Sequence, residues 1–412
     1  MELFRWHLPL PLPLLLLCLL LAGHIVHASV YVPHRFPLQL LNAFERSALR
    51  ACPCEKQEQC LPVAGTGATA ASQREDSRKK EVFAFSVTTT DQWKRYDWEQ
   101  LTTVAWNEDK ELLCHAHSKG VKVVIKHNFD DVETLCDPQF RKQWIQKTYG
   151  RIVNNYADGV NIDTEKAMHG DAAKCMTTLV QELRQELLQH AFTQHAQITF
   201  DVSWAPRGVD GRYYQWKELA DAVDFLFVMS YDMRSQIYYQ CLAAANSPLA
   251  LVKQGLEEFI FGFGVAPEKL VLGVPWYGYK YTCANVGSQF CLLEPTSFFG
   301  APCSDAAGAQ VNFGDIETLI AREKLPMQWD EMTQSPFVVS KNGSFQIWFD
   351  NPHSLTLKYQ LVKELGLRGA GMWNADTLDY ASNADDDGAD DDGDGARAHE
   401  TQAMWQALHA IS

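Results

Sequence analysis

Eight consecutive residues, Asp158-Gly159-Val160-Asn161-Ile162-Asp163-Thr164-Glu165, hold the densest chemical signal in the chain. Asn161, Asp163 and Glu165 recur at every second position. In an extended segment all three project from one face, and Val160 and Ile162 from the other. Polar side chains on a covered strand face are costly unless they are paired or used. Two carboxyl groups held close also push each other's proton affinities apart, so that one stays protonated while the other is charged. General acid–base catalysis needs that arrangement. A single carboxylate here would read as a capping or solvated strand end. Three polar groups in register read as a reactive site.

Something must position that face. Short apolar runs recur along the chain: Val82–Val87, Thr103–Trp106, Val121–Lys126, Gly159–Asp163, Ile198–Ser203, Phe225–Ser230, Leu270–Pro275 and Gly369–Trp373. Such runs alone do not separate strands from buried helix pieces. The segments between them do. Phe140–Tyr156 and Cys175–Ala191 have helical length, and the second spaces Met176, Leu179, Val180, Leu183 and Leu187 along one helix face. Alternation of this kind predicts an α/β fold, a closed (β/α)8 TIM barrel. The rival open sheet lacks the Gly-x-Gly-x-x-Gly turn after its first strand. The last two runs lie so far apart that an insertion must separate strands seven and eight. In such a barrel the chemistry sits at the C-terminal ends of strands, where the octad ends.

The remaining composition sets the context. The 412 residues carry 36 basic and 51 acidic side chains, a net charge of −15. With 46% apolar residues the chain is not disordered as a whole. Its acidity argues against nucleic acid as a partner. Residues 1–28 read as a secretory signal ending at Val26-His27-Ala28, with an apolar run too short for a membrane anchor. No membrane association is expected after its removal. Residues 29–80 read as a poorly structured, cysteine-containing lead-in, 81–380 as the barrel, 381–398 as an acidic low-complexity loop and 399–412 as a C-terminal helix. Ten cysteines follow the leader, an even number that suggests disulfides of open connectivity. Cys52, Cys54 and Cys60 lack the paired spacing of a zinc site. Asn383, Asp385, Asp387, Gly388 and Asp394 imitate a calcium loop, but without its first Asp and final Glu, so a solvated loop is expected. No metal is therefore expected. Asn342-Gly343-Ser344 is a glycosylation acceptor in an exported chain. The chain ends His409-Ala410-Ile411-Ser412, which is no ER-retention signal.

The octad resembles the Asp-Gly-x-Asn-x-Asp-x-Glu signature of glycoside hydrolase family 18, the chitinase family. Met229-Ser230-Tyr231-Asp232, Gly273-Val274-Pro275-Trp276-Tyr277-Gly278 and Gly371-Met372-Trp373-Asn374 resemble its sixth, seventh and eighth strand motifs, in order. The resemblance implies Glu165 as general acid and base. It implies Asp163 as the group that holds the substrate's acetamido N–H, and Tyr231 as donor to the acetamido oxygen, which is the nucleophile in this family. Asp232, Trp373, Asn161, Asp158 and Trp276 complete the implied substrate-binding set. Asn161 stands where most chitinases have Asp, and Val124-Ile125-Lys126-His127 replaces the common Ser-x-Gly-Gly. These departures, with Cys52-Pro53-Cys54, resemble one lysosomal member that cuts the β-1,4 bond of GlcNAc–GlcNAc units. The implied substrate is a GlcNAc-containing oligosaccharide, with no cofactor, a monomeric state, and the lysosome (or secretion) as destination. An endo-chitinase and a non-catalytic lectin on the same barrel are the alternatives.

Overall fold

The computed structural model describes residues 36, 38–63, 79–233, 241–286, 290–380 and 394–412. The expected leader and most of the acidic segment, with all of its calcium-like register but Asp394, lie outside these residues.

Eight parallel strands close the barrel. The first seven are β1 (Glu81–Phe85), β2 (Thr103–Ala105), β3 (Lys122–Lys126), β4 (Gly159–Ile162), β5 (Gln197–Ser203), β6 (Phe225–Met229) and β7 (Leu270–Pro275). After β7 comes the insertion, with β8 (Tyr277–Thr282), β9 (Gly308–Asn312), β10 (Met327–Asp330), β11 (Ser335–Val339) and β12 (Phe345–Trp348). The last barrel strand, β13 (Gly369–Trp373), pairs with both β7 and β1 and completes the circle. All eight apolar runs of the sequence thus become barrel strands, and the insertion lies where it was expected.

Local sequence sets the helices. Ala43–Arg50 forms α1, Lys110–Ser118 α2, Pro138–Asn155 α3, Gly170–Leu188 α4, Trp216–Ala222 α5, Leu249–Glu257 α6, Phe313–Glu323 α7, Pro352–Glu364 α8 and Asp394–Ala407 α9. Asp137 caps α3 by accepting from the Gln139 N–H at 2.8 Å, and Pro138 occupies the first turn, where its missing N–H costs nothing. Asn351 and Ser354 cap α8 reciprocally. Between β1 and β2 there is a 3-10 turn, Asp91–Arg95, in place of the expected helix.

Inside the barrel Phe83, Phe85, Phe225 and Phe227 pack with Val124 and Val271. Their bulk explains a glycine of the seventh-strand motif: a Cβ on Gly273 would lie 2.4 Å from the Phe227 ring. The octad's Gly159 is required for a similar reason, since a Cβ there would meet the Gln197 carbonyl oxygen at 1.9 Å. The insertion folds as an antiparallel sheet in the order β10-β11-β12-β8-β9, with α7 against it.

Three expectations change. Part of the stretch expected to be poorly structured, 38–63, is built onto the barrel. Glu45 of α1 is fully buried and accepts from the Asn42 and Phe192 N–H groups at 2.8 and 3.1 Å. Disulfide Cys52–Cys60 closes a loop within the same segment, and Cys54–Cys114 holds it to α2. The second change is Trp276, expected at the substrate. It is fully buried, donates to the Tyr359 hydroxyl at 3.1 Å and packs edge-on against Trp405 at 4.9 Å. Its place between barrel and insertion makes it core. Third, the terminal helix starts at Asp394 rather than 399.

The other disulfides are Cys136–Cys175, Cys241–Cys303 and Cys283–Cys291. Among the described residues, Cys52, Cys54 and Cys60 form the one cluster of metal-ligand type, and their sulfurs are taken up by disulfides.

Candidate active site

The period-two reading of β4 holds. Val160 and Ile162 are fully buried in the outer core, beneath the helices. On the inner face the polar ladder climbs toward solvent. Asn161 is fully buried, the Asp163 side chain is 10% exposed and the Glu165 side chain 50%. Only the top rung is free to exchange protons with a substrate entering from solvent.

Asp163 is held from three sides. Its Oδ2 accepts from Lys126 Nζ at 3.0 Å, its backbone N–H donates to Asn128 Oδ1 at 2.9 Å, and its carbonyl accepts from the Asn128 amide. Its Oδ1 is buried and has no hydrogen-bond partner among the described residues. Burial and then the charge of Glu165 push its carboxyl up to about 7, against the lowering effect of Lys126 and, more weakly, Arg212.

Beside it stands Asp201 on β5, 2% exposed. Burial, and then the charge of Asp163, push this carboxyl well above the ordinary range. Asp201 therefore keeps a proton while Asp163, beside an ammonium, ionises first. Asn161 links the two strands. Its amide donates to Asp201 Oδ1 at 2.7 Å and to Thr199 Oγ1 at 2.9 Å, and its oxygen accepts from Trp106 Nε1 at 2.6 Å. Both amide hydrogens are used and the side chain is fully buried. Asn161 thus orients its neighbours and does not reach a substrate, contrary to expectation.

Asp158 is also displaced from the expected set. It precedes β4, at the opposite end of the barrel from Glu165. Its carboxylate accepts from the Val63 N–H at 2.7 Å, the Val123 N–H at 2.6 Å and His117 Nε2 at 2.9 Å. It anchors the N-terminal segment to the barrel floor.

At the mouth, a cavity of about 460 Å³ is lined by Glu165, Arg212, Tyr231, Asp232, Tyr279 and Asp305, among others. Arg212, buried, bridges Glu165 at 3.0 Å and Asp210 at 2.8 Å. Tyr231 follows β6, and burial with the surrounding carboxylates keeps its hydroxyl protonated, ready to donate. Asp232, at φ 52°, accepts from the Tyr277 hydroxyl at 2.5 Å. Burial pushes it up to about 7, although that hydrogen bond opposes the shift. Trp373 ends β13, half-buried, its ring meeting Phe85 at 5.1 Å and Trp106 at 4.9 Å. Asn342 is exposed in the turn between β11 and β12, where a glycan has room.

The structure thus brings together Asp163, Glu165, Tyr231, Asp232 and Trp373 at one end, and removes Asp158, Asn161 and Trp276 from substrate contact. Sequence reasoning missed Lys126, Asp201, Arg212 and Asp305. Asp201 had a signal, since Thr199, Asp201 and Ser203 alternate on β5 as the octad does on β4. Arg212 had none, being a loop residue brought to Glu165 by the turn after β5.

Comparison with known proteins agrees with this geometry. The sequence profile of the glycosyl hydrolases family 18 matches residues 65–377. Mouse di-N-acetylchitobiase is 40% identical over 381 residues, 90% of this chain and 97% of the mouse protein. A probable di-N-acetylchitobiase of Dictyostelium discoideum is 35% identical over 81% of this chain and 90% of its own length. Among solved structures, a class V chitinase from Nicotiana tobaccum superposes with a TM-score of 0.61 at 19% identity, covering 79% of this chain and 98% of its own. A Cycas revoluta chitinase in complex with (GlcNAc)3 gives the same TM-score and identity, covering 79% of this chain and 99% of its own. The barrel, the β4 ladder and these matches lead to one conclusion: the chain belongs to family 18 of the glycosyl hydrolases.

Proposed function

We propose that the protein is a glycosidase that cleaves the β-1,4 bond of N,N'-diacetylchitobiose units, in chitooligosaccharides and in the GlcNAc–GlcNAc core of free N-linked oligosaccharides. The observation that carries the reading is the free, buried Oδ1 of Asp163, one rung below the exposed carboxyl of Glu165. A buried acceptor without a partner costs free energy until a ligand's N–H fills it. The 2-acetamido group of GlcNAc supplies that N–H. The di-N-acetylchitobiase relatives support the substrate.

Catalysis then proceeds with the substrate as its own nucleophile. Glu165 protonates the glycosidic oxygen as the acetamido oxygen attacks the anomeric carbon from the opposite face. Tyr231 donates to that oxygen and fixes its direction. Asp163 accepts the acetamido N–H and balances the positive charge of the oxazolinium ring. Glu165 then takes a proton from water, which opens the ring with overall retention. Trp373 offers a flat face beneath the sugar, and Asp232 a hydrogen-bonding wall. Holding an intramolecular nucleophile in line is worth effective molarities on the order of 10⁵ M.

Five disulfides support passage through an oxidising compartment. We place the enzyme in the lysosome as a monomer, with glycan at Asn342. Glu165→Gln tests the reading: turnover of a chromogenic chitobioside should fall by roughly 10²–10⁴-fold in a folded protein. A thiazoline mimic of the oxazolinium should inhibit the wild type. Full activity of the variant, or indifference to the thiazoline, would refute this chemistry.

A further inference from the structure

Lys126 ends β3 and has no part in the roles above, yet its position is set from two directions. Its Nζ is 3.0 Å from Asp163 Oδ2 and 3.6 Å above the centre of the Trp106 ring. Trp106 is itself fixed by its bond to Asn161 and by packing against Phe85 at 4.8 Å and Trp373 at 4.9 Å. The backbone is tied down as well, since Arg151 donates to the Lys126 carbonyl at 2.7 Å. An ammonium over an aromatic face and against a carboxylate has little freedom left.

The charges around Asp163 make this contact consequential. Glu165 faces it from its own strand, Asp201 from β5, Tyr231 from the end of β6, and Arg212 from the loop after β5. Asn161, between β3 and β5, is neutral. Arg212 is engaged by Glu165 and Asp210. Lys126 is thus the cation that touches Asp163. It occupies Oδ2 and leaves Oδ1 as the open acceptor.

We propose that Lys126 is a positioning residue for the reaction: its ammonium, bound to Oδ2, holds Asp163 turned so that Oδ1, and not Oδ2, meets the acetamido N–H. The inference rests on the glycosidase reading and adds to it the group that readies Asp163. It also links substrate platform and charge, because Trp373 and the ammonium lie against the same indole of Trp106.

The test is the pH profile of kcat/KM on a chromogenic chitobioside for wild type, Lys126→Met and Lys126→Arg. Loss of the cation makes Asp163 harder to ionise, so the acidic limb moves to higher pH in Lys126→Met. An opposite charge at this range is worth about 1–3 pH units, and the half-exposed lysine stands at the low end, about one unit. Activity on the acidic side therefore falls about tenfold, and thiazoline affinity falls with it. Lys126→Arg keeps the charge and should hold the limb near its wild-type place. It also carries the test if the methionine variant does not fold, because an arginine limb moved by a full unit overturns the proposal. A methionine limb superimposed on wild type overturns it too, as does an equal loss at every pH, which would mark a purely structural role. Glu165→Gln is assayed alongside. If that variant stays active, the glycosidase reading fails. If it is inactive and the Lys126 limb does not move, only the Lys126 inference fails.

Discussion

Replacing Asp158 by Asn should cost stability and leave catalysis in place. Asp158 accepts three hydrogen bonds at the barrel floor, two from backbone N–H groups and one from His117. The His117 and Asp158 side chains are 2% and 4% exposed. His117 Nδ1 lies 2.7 Å from the Gln59 carbonyl oxygen and Nε2 2.9 Å from Asp158. Both neighbours are acceptors, so both ring nitrogens must carry protons, and the ring is the imidazolium. Burial opposes that charge, but Asp158 and the Gln59 carbonyl outweigh it and hold His117 above its usual value. An asparagine accepts with one atom only and turns an N–H₂ toward donors. Removing one partner of a buried pair costs about 3–5 kcal/mol, which for a domain of this size lowers Tm by roughly 5–10 °C. The loss has a pH signature. Because the folded His117 binds its proton more tightly than the unfolded chain, the pair's stabilisation is whole below about pH 6.5. It fades as pH rises through the higher folded value. Calorimetry from pH 5 to 8 should show wild type losing this increment, and Asp158→Asn lacking it throughout. KM and kcat per folded molecule should stay at wild-type values. An unchanged Tm together with a raised KM would put Asp158 at the substrate and refute the reasoning.

Other outcomes follow from the same geometry. Tyr231→Phe removes the donor to the attacking oxygen, and kcat should fall about 10²-fold with KM little changed; a larger effect on KM than on kcat would contradict the role. Gly273→Ala forces a Cβ against the Phe227 ring and should cost about 1–3 kcal/mol in a denaturant melt; an unchanged midpoint would mean that the interior gives way freely. Trp276→Phe should lower Tm by several degrees with KM unmoved, because the indole contacts Tyr359 and Trp405 and not the cavity.

Much of this protein was legible in the chain itself. The eight apolar runs became the eight barrel strands because burial on both faces of a parallel strand demands continuous apolar sequence, a local property. The inward ladder Asn161, Asp163 and Glu165 followed from a period of two, which is local as well. Other features depended on packing. Which rung meets substrate was decided by depth in the barrel, so Asn161 is sealed while Glu165 is open. Asp158, only seven residues from Glu165, belongs to the other end because a strand carries its residues through the barrel. Residues 38–63 read as part of a poorly structured lead-in, yet disulfides and a buried capping glutamate give them shape. The partners of Asp163 and Glu165, namely Lys126, Asp201 and Arg212, come from β3, β5 and the loop beyond. Charge pairing acts through space, so only closing the barrel brings these groups together.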